Sequence, residues 1–468
     1  MRVSKYCIYI PLPTRGKYAL IHGYTGAIDI VNNSLAEKLQ KWGAEGNIKC
    51  NAFLEQDVVE FLKKRGYLTD KDPENEMEFV QQFSQKLHKK DALYRSKFFI
   101  IPSFNCQIRC TYCFERLVQN LGIKEKWLKT IMTREMADAA FEAIEKLQYE
   151  PTQNPISLYG GEPFITANRE IVSYILERGH QQGYRFAAIT NAENLGVYSD
   201  LLKPDLIEGL LVTLDGPQQT HDKKRIYANG RGTFGKIVAN INMALEHGLN
   251  IRIRINTDSE VISALPEFIR IAEEEKWVDN PNVAIYCQSI WQPDPGAEGC
   301  SPAPLDLADI IRSLQETGLN SIVNAGEPIK YQLDMLMNNH PFAAISPTNC
   351  GAEKGMYLFD PFGNIYVCTE HVGLTEHRVG SFWPSLEMLP DKLEKWHGRT
   401  IDKIPACLEC RYALLCGGGC AYHAEVERGD MYVNYCDRFD DQFRIIAQEY
   451  LDTENPRKIK IERVEACD

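Results

Sequence analysis

Between residues 98 and 289, short apolar runs alternate with longer stretches whose apolar positions recur at helical spacing. The runs Phe98–Ile101, Pro155–Tyr159, Arg185–Thr190, Gly209–Leu214, Asn250–Thr257 and Asn282–Ser289 read as strands. Between them Arg134–Leu147, Arg169–Gln182, a short segment around Tyr198, Phe234–His247 and Ile262–Lys276 read as helices. Strands separated by helical segments pair in parallel through right-handed crossovers. The expected fold class is therefore α/β, with a partial (β/α)6 barrel over residues 97–300. In such barrels the chemistry gathers at the carboxyl ends of the strands.

The flanks follow other patterns. Tyr6–Leu12, Tyr18–His22 and Ala27–Val31 read as strands, with turn chemistry in Gly23-Tyr24-Thr25-Gly26. Ser34 with Glu37 three residues on opens a capped helix through Trp42, and a second helix over 56–65 stops at Gly66. Residues 1–90 are expected to form a winged-helix-like α+β domain, joined to the barrel by a charged helical connector. Residues 301–349 read as a bridge, and 350–452 as a cysteine-rich domain. The polar tail from Thr453 is expected at the surface.

Composition narrows the partners. A chain of 468 residues with 44% hydrophobic and 25% charged residues is an ordinary globular protein of several domains. Its net charge of −12 argues against a nucleic-acid partner, because phosphate binding rests on clustered Lys and Arg. With no long apolar run and no signal-peptide pattern, the chain is expected to be cytoplasmic, with no membrane partner. Fifteen cysteines in a cytoplasmic chain point to metal or redox chemistry rather than disulfides. Cys7, Cys50 and Cys467 stand apart and read as ordinary thiols.

Cys106, Cys110 and Cys113, spaced C-x3-C-x2-C, lie just past the first barrel strand. Three thiolates are one short of the usual set for a cubane or a tetrahedral zinc, so the vacant position can bind something that is not protein. A zinc knuckle needs other spacing, and a redox pair at Cys110 and Cys113 has no use for Cys106. One cubane face fits all three. Other strand-end loops carry Gly160-Gly161-Glu162-Pro163, then Thr190-Asn191, then Asp215-Gly216-Pro217 with His221, Asp222 and Arg225. The paired glycines allow close backbone approach to a ligand, and Glu162 can bind an amine. A turn-only reading suits each loop singly, but all lie on the cysteine side of the barrel. Further on come Cys350, Gly363, Cys368, then Cys407-x2-Cys410-x5-Cys416-x3-Cys420, and Cys436. Alone, this array is equally a zinc site with spare thiols; beside the first, clusters are the better reading.

The triplet with Tyr112 before its last cysteine resembles the radical S-adenosylmethionine (SAM) signature. Gly160-Gly161-Glu162-Pro163 resembles that family's methionyl-amine motif. Asp215-Gly216-Pro217, His221-Asp222 and Gly232-Thr233-Phe234 are similar to its peptide-modifying branch. The C-terminal array resembles the seven-cysteine SPASM domain. Residues 1–90 resemble the domain that recognises leader peptides of ribosomally made natural products.

This resemblance implies SAM and three [4Fe–4S] clusters as cofactors. Cys106, Cys110 and Cys113 would hold the catalytic cluster, which with SAM generates a hydrogen-abstracting 5′-deoxyadenosyl radical. Tyr112, Gly160, Gly161, Glu162, Thr190, Asn191, Asp215 and Arg225 would contact the cofactor. Cys407, Cys410, Cys416 and Cys436 would hold a distal auxiliary cluster, and Cys350, Cys368 and Cys420 a proximal one. Sulfatase maturases in this family carry an extra cysteine before the position of Cys350 and an aspartate directly after that of Cys368. Here 341–349 hold no cysteine, and Thr369 follows Cys368. The proximal site therefore either recruits Cys287 or Cys300 or stays open for a substrate thiolate. The closest resemblance is to thioether-forming (sactipeptide and ranthipeptide) maturases, acting on a Cys-containing precursor peptide with a reductant such as flavodoxin or ferredoxin. Carbon–carbon crosslinking, epimerisation and sulfatase-maturase-like Cys or Ser oxidation are the alternatives. An electron carrier or a zinc-stapled interaction protein would leave the barrel loops without a purpose.

Overall fold

The computed structural model describes residues 1–45, 54–94, 96–113, 128–151, 154–290 and 305–452. Two compact units emerge. The first takes in Met1–Asp91, Gly326–Glu353 and the described residues from Gly398 on; the second takes in Ala92–Ala325 and Lys354–His397. The cysteine-rich stretch 350–452 thus contributes to both units.

In the first unit, β1 (Arg2–Val3) precedes β2 (Cys7–Leu12), β3 (Lys17–His22) and β4 (Ile28–Asn32), and β5 (Leu68–Thr69) returns to pair with β1. β2, β3 and β4 form an antiparallel sheet with β3 in the middle. Helices Asn33–Glu45, Gln56–Arg65 and Pro73–Tyr94 follow. Leu20, Ala36, Leu39, Leu62 and Tyr67 are buried together in the core they share. Each apolar side chain enclosed this way contributes about 1.5–3 kcal/mol.

The second unit carries β6 (Lys97–Ile100), β7 (Ile108–Cys110), β8 (Ile156–Leu158), β9 (Phe186–Thr190), β10 (Ile207–Thr213) and β11 (Arg225–Tyr227). It continues with β12 (Asn250–Thr257), β13 (Val283–Ser289), β14 (Val323–Asn324), β15 (Met356–Phe359) and β16 (Asn364–Tyr366), then β17 (Gly380–Ser381) and β18 (Glu387–Met388). The six expected barrel strands pair in parallel in the order β6-β8-β9-β10-β12-β13. A parallel strand is added at each end. β14 joins β13, and β15 joins β6 with Leu358 opposite Phe99. From β15 the sheet runs on antiparallel through β16, β17 and β18.

Alternation along β12 shows how the layers form. Ile251, Ile253 and Ile255 are fully buried, while Arg252 and Arg254 take the other face. The helix Arg134–Leu147 starts where the Thr133 hydroxyl accepts the Met136 N–H at 3.2 Å, and it buries Met136, Ala140, Phe141 and Ile144 along one stripe. Among the described residues no helix is long and apolar enough to cross a membrane.

Candidate active site and cluster-binding cysteines

The chain leaves β6 through Ser103, Phe104 and Asn105 and enters the cysteine loop. β7 pairs antiparallel with β11, setting Cys110 opposite Arg225, and the Thr111 N–H donates to the Lys224 carbonyl at 2.9 Å. Cys106, Cys110 and Cys113 are all half-buried on this braced loop. The Asn191 side-chain amide donates to Cys106 Sγ at 3.6 Å, and Gln107 donates to Asn191 Oδ1 at 3.2 Å. The loops after β6 and β9 are thereby tied at the first cysteine.

The glycine pair after β8 serves the same junction. A Cβ on Gly161 would stand 2.4 Å from the Phe104 carbonyl oxygen and 2.5 Å from that of Asn105. Only glycine fits, and the close approach it permits is to the backbone leading into Cys106. The Glu162 N–H then donates to the Asn105 carbonyl at 2.9 Å. Glu162 itself is 1% exposed. Its carboxylate accepts from the Phe164 N–H at 2.9 Å, the Thr190 hydroxyl at 2.7 Å and the Asn191 N–H at 2.6 Å. Burial pushes its pKa up to about 7, against the pull of these hydrogen bonds. The carboxylate read from sequence as an amine binder is engaged in bracing Thr190 and Asn191 beside Cys106.

Tyr112 forms a second junction. Its hydroxyl donates to the Asp215 carboxylate and accepts from Arg225 at 2.8 Å and from the Asn256 amide at 2.9 Å. The other Asp215 oxygen accepts the Asn256 N–H at 3.0 Å. Burial raises the Asp215 pKa, with the Arg225 cation as the main opposing influence. Arg225 is 6% exposed, and its buried Nε meets no partner among the described residues.

His221 and Asp222 brace this loop from behind. The Asp215 N–H donates to His221 Nδ1 at 3.1 Å, so the ring proton sits on Nε2, which faces the Thr233 hydroxyl at 3.0 Å. Burial, then the Arg225 charge, holds this imidazole neutral. Asp222 accepts the N–H groups of Thr233 and Phe234 at 2.8 and 3.0 Å, at the start of helix Phe234–Glu246.

The remaining cysteines divide between the units, and none of the described cysteines is in a disulfide. In the first unit Cys407, Cys410, Cys416 and Cys436 come together. Burial pushes the pKa of Cys407 up to about 12, reinforced by Cys410 and Cys436. Burial likewise pushes Cys416 up to about 12, reinforced by Cys407, Cys436 and Cys410. The Tyr412 N–H donates to Cys410 Sγ at 3.4 Å, and the Asn434 amide to Cys436 Sγ at 3.0 Å. Cys416, Cys420 and Cys436 line one cavity with Asn349 and His423. Cys350 Sγ accepts the Ala352 N–H at 3.3 Å. In the second unit, buried Cys368 follows β16, while Cys287 lies within β13 with its pKa pushed up to about 12 by burial. Cys300 lies outside the described residues.

Residues 100–262 match the radical SAM superfamily. This segment is a radical SAM domain. Among curated proteins, the chain is similar to the cysteine-type anaerobic sulfatase-maturating enzyme of Clostridium novyi (strain NT): 25% identity, with 69% of this chain and 87% of the relative covered. Among solved structures it shares its fold with anSMEcpe bound to AdoMet and the Cp18Cys peptide: TM-score 0.58 at 17% identity, over 75% of this chain and 97% of that one. It shares its fold also with Streptococcus suis SuiB bound to S-adenosylmethionine: TM-score 0.51 at 17% identity, over 93% and 99% of the two chains. SuiB bound to its precursor peptide SuiA matches with a TM-score of 0.50 over the same shares.

The radical SAM domain's own side chains fit an anionic, electron-rich group at the triplet. A buried guanidinium with an unpartnered Nε stands by Cys110, and an amide donor reaches Cys106 Sγ. The four thiols of the first unit fit a cationic group, because each thiolate that forms there opposes the next. Among the described residues, no three His, Cys, Asp or Glu are drawn tightly enough around one point for a single metal ion. Thiolates on a cubane sit on separate irons and stand further apart than those on one zinc. Sequence reasoning missed Asn256, whose only signal was a polar residue at the end of an apolar strand. It also missed Arg399 and Glu353, which carried no signal at all.

Proposed function

We propose that the chain is a radical SAM enzyme that modifies a ribosomally made precursor peptide, forming thioether crosslinks between Cys and another residue of that peptide. The observation that carries this reading is the three-cysteine loop past β6, tied by Asn191, Tyr112 and Arg225 to the ends of its neighbouring strands. Bound there, an iron–sulfur cluster with SAM supplies a radical able to abstract hydrogen from carbon. The chain's residues orient. Glu162 locks Thr190 and Asn191 at the edge of the site, Arg225 presents positive charge, and neutral His221 holds the loop without adding a cation.

A peptide substrate is supported by the fold shared with two proteins seen with peptides, anSMEcpe and SuiB. β2 and β4 are the edges of the N-terminal sheet, where a leader segment could add as a further strand. The thioether reading rests on two departures from the sulfatase maturases in the sequence itself, Thr369 directly after Cys368 and the absence of a cysteine from 341–349. A small redox protein such as flavodoxin or ferredoxin would supply electrons. A second reading, oxidation of a Cys or Ser in the manner of a sulfatase maturase, is favoured by the similarity to the Clostridium novyi enzyme.

Mass spectrometry of a Cys-containing precursor after anaerobic turnover separates the readings. A thioether removes a pair of hydrogens, retains sulfur and blocks alkylation of the thiol. Oxidation of Cys to an aldehyde loses the sulfur, and an alkylatable product with unchanged mass would point to epimerisation. Reconstituting Cys287→Ala and Cys300→Ala separately tests the vacant position, since loss of an auxiliary cluster in either variant would sink it.

A further inference from the structure

Arg399 has one of the largest fully enclosed side chains in the protein, and its ion pair with Glu353 is 0% exposed on both sides. A guanidinium carries five N–H donors. All find acceptors here. Nε donates to the Met431 carbonyl, and Nη1 to the Glu353 carboxylate and, at 3.0 Å, to the Gly419 carbonyl. Nη2 donates to the carbonyls of Gly418 at 3.2 Å and Val433 at 3.1 Å. The other Glu353 oxygen accepts the N–H groups of Asn349 at 2.8 Å and Cys350 at 3.0 Å.

One ion pair therefore holds three backbone segments. The first carries Cys350, the second is the turn between Cys416 and Cys420, and the third leads into Cys436. The charge also stands near a fifth thiol: Arg399 Nη1 and Cys407 Sγ each lie 3.8 Å from the point a Cβ would occupy on Gly418. Stability alone is a poor reason for this pair, because an apolar replacement of similar volume often serves a core as well or better. A planar fork that fixes carbonyls at set angles gives what an apolar side chain cannot, a defined loop geometry before iron arrives.

We propose that Arg399 is a positioning residue of the auxiliary cluster region. It presets the loops that present Cys350, Cys416, Cys420 and Cys436, and its charge raises the reduction potential of the cluster held by the distal thiolates. This rests on the reading of those cysteines as cluster ligands. A nearby cation favours the more negative, reduced form of a cluster, so its removal shifts the potential down.

The test uses the full chain, reconstituted anaerobically with iron and sulfide, as wild type, Arg399→Lys and Arg399→Gln. Iron and acid-labile sulfide are counted per chain, and the distal cluster is titrated by electron paramagnetic resonance. Wild type holding only one cluster's worth of iron would remove the underlying reading, before any variant is considered. With auxiliary clusters present in wild type, Arg399→Gln is expected to lose at least one of them. Any distal cluster it retains should titrate at a more negative potential. Arg399→Lys keeps the charge without the fork, and is expected to load partially with a potential near wild type. Full loading and an unshifted potential in Arg399→Gln would overturn the proposal. Should Arg399→Gln fail to fold, full loading of Arg399→Lys would overturn the framing role, and partial loading at the wild-type potential would support it.

Discussion

The hydroxyl of Tyr112 donates to the carboxylate of Asp215, 103 residues further along the chain. The aromatic residue between two candidate cluster ligands is thereby pinned to the end of β10 and, through Asn256, to the end of β12. A single phenol oxygen serves a carboxylate, a guanidinium and an amide at once. Tyr112→Phe removes it and leaves those buried groups without their shared partner. Hydrogen bonds to charged groups are worth about 1.5–3 kcal/mol each. Calorimetry of the cluster-free protein should show the second unit melting several degrees lower. An unchanged melting temperature would mean that water or a neighbouring side chain takes over the hydroxyl's place.

Glu162 makes the same unit sensitive to pH. Its pKa is about 7 in the fold against an ordinary glutamate value of 4.5. Between those values the native state holds a proton that the unfolded chain has released. Stability contributed at this site therefore falls as pH rises from about 4.5 to about 7 and levels off above. With about 1.36 kcal/mol per unit, the full loss is roughly 3 kcal/mol. Glu162→Gln cannot release a proton. Urea unfolding between about pH 5 and pH 8 should show a shallower decline for the variant than for wild type. Parallel curves would place the titration elsewhere.

In the N-terminal module, Arg2 pairs with Glu76 at 2.7 Å, with side chains 11% and 0% exposed. The other Glu76 oxygen accepts from the Ser4 hydroxyl at 2.6 Å. This carboxylate holds the start of the chain onto helix Pro73–Tyr94. Glu76→Ala leaves a half-buried cation unpaired, a change that costs about 3–5 kcal/mol in comparable buried pairs. Hydrogen exchange should quicken along β1 and the first turns of that helix. Protection equal to wild type would show that the pair is incidental.

These three sites show what a sequence makes legible. The six parallel strands stand out because each is a short apolar run bounded by amphipathic helices, and the helix Arg134–Leu147 is delimited by its own Thr133 cap. The added strands do not. β14 is only Val323–Asn324, too short to show a period, and β15 becomes a strand by pairing with distant β6. Cysteine spacing announces metal chemistry because few other uses demand it. The supports behind the cysteines are silent, since Arg399 lies among polar residues such as Thr400, Asp402 and Lys403 and reads as one more exposed charge. Glu162 was legible as important, but its partners lie on other strand ends. Only the fold shows that it braces loops.

Gly232 and Asp222 offer the sharpest check on how these loops cohere. A Cβ on Gly232 would stand 2.1 Å from Asp222 Oδ2 and 2.2 Å from its Cγ. That carboxylate accepts the N–H groups of Thr233 and Phe234 and so caps the helix Phe234–Glu246. Asp222→Ala alone should cost about 1 kcal/mol, as the loss of an N-terminal cap does. Gly232→Ala alone should cost more, because the methyl group displaces the carboxylate and so removes the cap while adding strain. In the double variant the methyl group meets no carboxylate, and the cap is already gone. Its destabilisation should fall clearly below the sum of the two single changes, giving a coupling of about 0.5–3 kcal/mol. Additive losses in urea unfolding would mean that the carboxylate keeps its hydrogen bonds beside the added methyl group, with Asp222 acting independently of Gly232.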